Sequence, residues 1–202
     1  DLQNALRNAV TPSFNAISVD GDTSTNDTVL LLANGASGVR ITDDESRLLF
    51  ADALNALCYE LAMMIVADGE GATKVVTVRV SSAPNVRAAR QVANTIATSP
   101  LVKTAFAGGD PNWGRILMAA GRSGVDLDQG LLALWIESSG NPPLQLVKEG
   151  TPTDYSEADA AQIFAQSSFA VHVDLGLGAA EATVWTTDLT QVYVTINANY
   201  RT

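Results

Sequence analysis

The sequence predicts a layered α/β sandwich with mixed sheets. Helix-period and strand-period segments alternate along most of the 202 residues. Neither an internal repeat nor a low-complexity tract interrupts them. At 47% hydrophobic and 17% charged residues, there is enough apolar material for one sizeable core or two small ones. Helices drawn from both halves can cover such a sheet, which favours layers over a bundle or a barrel.

"LQNALRNAV" places Leu2, Leu6, Ala9 and Val10 on one helical face, and Pro12 marks the end of that helix. "AISVD" is strand-like, and "GDTSTND" makes a polar loop. "TVLLLANG" is apolar and short enough for a buried strand or a helix segment. "TDDE" is a capping-box pattern in which Thr42 and Glu45 satisfy free amides, so a helix runs from about residue 43 to 67. Phe50, Leu54, Leu57, Leu61 and Ile65 share its apolar face, and Gly69 is placed to supply the left-handed residue that ends it.

"KVVTVRV" then alternates as a strand, and "NVRAARQVANTIATS" returns to helical spacing until Pro100 closes it. In "GGDPNWGRILMAAG", Asp110 suits an N-cap and Pro111 a first helical residue. "LLALWIES" is a strand, "GNPPLQLVKEG" a turn into another, and "SEADAAQIFAQSS" a helix. "FAVHVDLGLGAAEATVWTTD" reads as two strands around a glycine turn. "ESSGNPPLQ" is the one linker-like stretch. It divides an α/β portion, residues 1–138, from a C-terminal α/β portion, residues 139–202, unless the later strands join the first sheet.

Charge and composition narrow the function. A formal charge of −10 with twelve scattered Lys and Arg makes no basic stripe, which opposes nucleic-acid binding. No uninterrupted apolar run reaches about 18 residues and the start lacks a signal-peptide pattern, so the expectation is no membrane and an intracellular chain. One cysteine cannot form a disulfide within the chain, and one histidine cannot build a His-rich metal site. Cys58 falls on the buried face of its helix as a core thiol. His172 alternates with Val171 and Val173 and points outward from a strand.

Few local patterns suggest chemistry. "DGDTSTNDT" lacks the sixth-position glycine and twelfth-position glutamate of a calcium loop, and its side chains suit a self-bonded tight loop. "AGGDPNWGR" combines glycines, a helix start and Arg115, but without a GK[ST] ending it reads as a cap before a phosphate cradle. Glu70, between Gly69 and Gly71, has two readings. It is a turn acid facing water or Lys74, or a carboxylate presented to a ligand ammonium where glycines permit close approach. Asn197, Asn199 and Thr202 in "TINANYRT" either orient a polar ligand or solvate a frayed tail.

Taken together, "DGDTSTNDT", "DGEGATK", "SPLVKTAFAGGDPNWGRILMAAGRSG" and "TTDLTQVYVTINANYRT" resemble the ornithine acetyltransferase (glutamate N-acetyltransferase) family of arginine biosynthesis. The stretches follow the family's order from residue 20 to the C-terminus, and the chain looks like its β subunit. The resemblance implies a precursor that cuts itself into α and β chains, exposing a threonine at the start of β. That threonine is the nucleophile, with its own amine as the activating base. The acetyl group of N-acetylornithine passes to threonine and then to glutamate in a ping-pong cycle, with acetyl-CoA as a second candidate donor.

On this reading no cofactor or metal is needed, and the partners are an α chain, in an α2β2 heterotetramer, and the small amino-acid substrates. The family's β-chain contacts fall on Glu70, Asn197 and Thr202. Glu70 is expected to meet an ammonium group, while Asn197 and Thr202 hold a carboxylate or amide. No catalytic residue is expected in this chain, because the nucleophilic threonine is placed before Asp1 and the oxyanion donors in the α chain. A cytoplasmic location follows. Two alternatives are a related self-cleaving threonine amidase or acyltransferase and a non-catalytic assembly subunit.

Overall fold

A computed structural model describes residues 2–200 of the chain. Thr202, expected to touch substrate, lies outside the described residues, as do Asp1 and Arg201. One mixed sheet of seven strands organises the rest, in the order β1-β7-β2-β6-β3-β4-β5. Its strands are β1 (Ile17–Ser18), β2 (Val75–Ala83), β3 (Ala133–Glu137), β4 (Leu144–Lys148), β5 (Thr151–Pro152), β6 (Ser168–Asp174) and β7 (Ala180–Thr187). β2 lies inside the sheet, antiparallel to β7 on one side and parallel to β6 on the other. Strands from residues 1–138 and 139–202 share this sheet, and "ESSGNPPLQ" contains the turn between antiparallel β3 and β4.

Alternation decides which side of the sheet is dry. Val76, Val78 and Val80 of β2, Val171 and Val173 of β6, Leu134 and Ile136 of β3, and Val184 of β7 are all buried in one cluster. Helix α3 (Val86–Ala97) supplies Ala89, Val92, Ala93 and Ile96 to the same core. Its small residues let the helix lie close to β2 and β7. Each fully buried valine or leucine stabilises the fold by about 1.5–3 kcal/mol. Phe106, Phe164 and Phe169 close the far side as an aromatic trio with ring centroids 4.6–5.9 Å apart.

Helix α2 (Asp44–Ala67) crosses the opposite face, where Tyr59 meets Trp185 of β7 edge-on at 5.3 Å. Helix α1 (Leu2–Val10) packs beside it, with Ala9, Leu54 and Cys58 in a small second cluster. The buried positions of α2 are Leu54, Cys58, Ala62 and Val66, a strict four-residue repeat. This corrects the expected stripe, since Leu57, Leu61 and Ile65 are exposed. Small Cys58 and Ala62 permit close approach, so they turn inward. α2 is also long and apolar enough to cross a membrane by length and composition. Asp52 and Glu60 break its apolar run, which is why counting uninterrupted residues missed it.

Other local expectations shift for identifiable reasons. The α2 N-cap is Asp43, not Thr42, because its carboxylate reaches Ser46 N at 2.7 Å. Pro100 does not merely close α3. It opens a further helix, α4 (Pro100–Gly108), where a residue without an N–H is suited to the first turn. The next helix, α5 (Trp113–Gly121), starts three residues past Asp110, with Asn112 as its cap. "TVLLLANG" forms neither strand nor helix, and Leu30 and Leu32 are exposed. Helix α6 (Glu157–Phe164) follows β5, and the tail through Asn199 is a helix, α7 (Gln191–Asn199).

Candidate functional site

The candidate site forms where the turn after α2 meets the start of α7. Asp68 caps the C-terminus of α2, its N–H bonding Met64 O, and Ala72 N then reaches Gly69 O at 3.0 Å. The left-handed residue of this turn is Gly71, with φ of +67°, not Gly69. A β-carbon at Gly71 would lie 2.6 Å from Tyr193 N, so only glycine lets the turn rest against α7. Thr190 Oγ1 donates to Gly71 O at 2.7 Å and fastens the contact.

This docking brings Glu70 and Asn197 together across the chain. Asn197 Nδ2 donates to Glu70 Oε2 at 2.6 Å, and also to Tyr193 O at 3.1 Å. Asn197 and Tyr193 lie one helical turn apart on α7. Tyr193 donates its phenol proton to Asp20 Oδ2 at 3.1 Å. Burial pushes the Tyr193 phenol up, and so do its bond to Asp20 and the charges of Asp20, Glu70 and Asp22. The site is therefore an exposed, acidic patch carried on three separate segments. Such a patch suits a cation and opposes an isolated anion.

Lys74 does not neutralise Glu70. Its Nζ donates to Phe106 O at 2.6 Å and Phe164 O at 2.7 Å, in the last turns of α4 and α6. One ammonium thus caps two helix C-termini. Burial lowers the Lys74 pKa and the charge of Asp188 opposes that shift. The exposed-pair account of Glu70 loses its partner.

Asp188, Lys103, Thr190, Tyr193 and Asp20 were not distinguished as site components by local sequence. Lys103 is buried on α4, and its Nζ donates to Thr186 Oγ1 at 2.9 Å, to Thr187 Oγ1 at 3.1 Å and to Thr187 O. Burial pushes its pKa down to about 8, against the upward pull of Asp188 and Asp20. The repeated hydroxyls of "TTDLT" were the available signal. Nothing in the local pattern, however, specified a lysine more than eighty residues away as their partner.

The remaining candidates fall elsewhere. His172 stacks on Trp135, with ring centroids 5.3 Å apart, and its Nε2 lies 2.8 Å from Ser81 Oγ near the far end of β2. Burial first, and then Arg79, hold its pKa below the usual value. Cys58 is buried, which pushes its thiol up and suits a packing role. Arg115 Nη1 donates to Leu101 O at 3.0 Å, turning the guanidinium onto α4 and away from an anion cradle. In "DGDTSTNDT", Asp22 N bonds Asp20 Oδ1 and Ser24 Oγ accepts from Asp27 N, the self-bonded loop expected of these residues.

Comparison with known proteins addresses the whole chain. The ArgJ family model matches residues 1–202. The arginine biosynthesis bifunctional protein ArgJ of Agrobacterium fabrum is 48% identical over 99% of this chain and 49% of its own length. The glutamate N-acetyltransferase of Methanopyrus kandleri is 47% identical over 100% of this chain and 52% of its own. The crystal structure of arginine biosynthesis bifunctional protein argJ from Bacillus halodurans superposes with a TM-score of 0.90 at 40% identity. That match covers 98% of this chain and 92% of that one. The chain spans about half the length of the curated relatives it matches. On sequence and fold together, the chain belongs to the ArgJ family.

Proposed function

We propose that these residues are the β-subunit portion of a glutamate N-acetyltransferase of arginine biosynthesis, and that they grip the amino-acid end of the substrate. The observation that carries this reading is the 2.6 Å bond from Asn197 Nδ2 to Glu70 Oε2, joining side chains 127 residues apart. The bond orients the carboxylate and leaves Glu70 Oε1 to accept from a substrate ammonium. Asn197 Oδ1 remains to accept a second N–H. Thr202 completes the grip in the same proposal.

The chemistry belongs to a threonine outside these residues. Its hydroxyl attacks the acetyl carbonyl of N-acetylornithine while its own amine takes the proton, and the amide C–N bond breaks. Ornithine leaves with a proton, and the acetyl group stays as an ester on the threonine. Glutamate's amine then attacks the ester carbonyl, and the bond between the acetyl carbon and threonine Oγ breaks. The threonine oxygen takes back a proton from the attacking amine by way of the threonine's own amine, and N-acetylglutamate departs. An α chain supplies the donors that stabilise each oxyanion. The exposed apolar residues Leu57, Leu61, Met64 and Ile65 on α2 support a partner chain in an α2β2 assembly. A cytoplasmic enzyme is part of the same proposal.

Replacing Glu70 by Gln in the complete enzyme tests the reading. A charge-assisted bond contributes about 1.5–3 kcal/mol, so kcat/KM for N-acetylornithine falls about 10- to 100-fold with unchanged thermal stability. Unchanged turnover by Glu70→Gln sinks the ammonium role. Intact-mass measurement of the native protein addresses the nucleophile. The expected result is an α partner and a β chain that begins with threonine.

A further inference from the structure

We propose that Asp188 is a positioning residue that holds Glu70 in register with Asn197. The proposal rests on the reading of Glu70 and Asn197 as the ammonium grip. Asp188 follows β7 directly, three residues before α7 begins, and it is 3% exposed. Its Oδ1 accepts from Thr73 N at 2.8 Å and Lys74 N at 3.0 Å, and its Oδ2 accepts from Thr73 Oγ1 at 2.5 Å. All three donors belong to the turn that carries Glu70.

The geometry makes the carboxylate a continuation of the sheet. β2 and β7 pair up to Val75 and Thr187, and one residue farther along β7 the side chain of Asp188 takes over as acceptor. Thr190 ties the same turn at Gly71, so Glu70 projects from a loop held on both sides. The other side of the segment is held by Lys103, through Thr186 and Thr187. Removing the carboxylate leaves Thr73 N–H and Lys74 N–H to seek water, and water entry pulls the turn off α7. Asp188 touches no reacting atom in this scheme, because it acts through the turn.

Three variants in the complete enzyme test this: Asp188→Ala, Asp188→Asn and Thr73→Val. For Asp188→Ala, amide exchange over residues 69–74 accelerates about tenfold while β3 and β6 keep their protection, and KM for N-acetylornithine rises about tenfold with kcat little changed. Combined with Glu70→Gln, Asp188→Ala adds no further loss, as expected of residues acting through one contact. Asp188→Asn restores most of the function, because its amide oxygen still accepts from both backbone groups and Thr73 can turn its hydroxyl to accept from the amide.

Thr73→Val shifts exchange and KM in the same direction by a smaller factor, and it decides the matter if Asp188→Ala fails to fold. A crystal structure of the variant gives the direct readout. If the Glu70 to Asn197 bond persists with turn exchange unchanged, the proposal is overturned. Loss in Asp188→Asn equal to that in Asp188→Ala also overturns it, because charge and not position would then be what the residue supplies. If Glu70→Gln is silent while Asp188→Ala frees the turn, the positioning role stands and the ammonium role falls.

Discussion

Lys103 shows how a buried charge can be both costly and kept. Its folded pKa of about 8 lies below the ordinary 10.5, so the unfolded chain holds the proton more tightly. The contribution of this group to stability is least favourable below pH 8 and rises as pH climbs from about 8 to 10.5. The full change is roughly 3 kcal/mol, at about 1.4 kcal/mol for each tenfold weakening of proton binding. Urea unfolding of the protein and of Lys103→Met at about pH 7.5 and about pH 10 measures it. Burial also lowers the Lys74 pKa, so a rise is expected in both, and it is larger in the protein than in the variant by the share that Lys103 supplies. A lysine within an apolar helix is visible in "PLVKTAFAG", but its threonine partners on β7 become visible only when the sheet closes. Glu70 has the same history. Its glycines showed that a turn was present, and Asn197 alone showed where the carboxylate goes.

Among the elements, the turn at residues 69–74 is held by chemistry that can be separated experimentally. Gly71 and Gly38 adopt nearly the same left-handed φ, +67° and +69°, but a β-carbon at Gly38 meets nothing within 4 Å. Gly38→Ala therefore reports the backbone strain alone, about 1 kcal/mol. Gly71→Ala adds a clash with Tyr193 N, and thermal melts should show it as clearly the more destabilising substitution. Amide exchange should place the added loss in α7.

Strict alternation made β2, β6 and β7 legible in sequence, and helical spacing did the same for α3. Those signals are local, and burial on one side sharpens them. The failures were also physical. Gly69 and Gly71 look alike until α7 lies against one of them, and Pro100 can end one helix or begin the next. The apolar residues of "TVLLLANG" signalled burial, but nothing in the described fold covers Leu30 or Leu32.

For the molecule as a whole, one face of the sheet is closed by four helices and the other only partly by α2. Leu57, Leu61, Met64 and Ile65 form an apolar stripe on α2 that water alone does not favour. If a partner chain normally covers it, the isolated 202 residues will self-associate as concentration rises, and a Leu61→Gln/Met64→Gln variant will stay monodisperse in sedimentation. The same variant in the complete enzyme should weaken assembly while leaving the Glu70 turn intact. An isolated chain that remains monomeric at high concentration would remove this stripe as an argument for assembly.

The interior position of β2, between β7 and β6, has a consequence for how the protein is made. Its neighbours β6 and β7 are the last strands in the chain, so β2 has no partner until β6 has been synthesised and gains its second only with β7. Non-local pairing of this kind folds slowly and leaves strand edges exposed meanwhile. A nascent chain stalled before β6 would present the valines of β2 to chaperones or to other β2 strands. The Glu70 turn, which precedes β2, would also have no α7 to meet. The grip would thus be among the last features to mature, which couples a finished site to a finished chain.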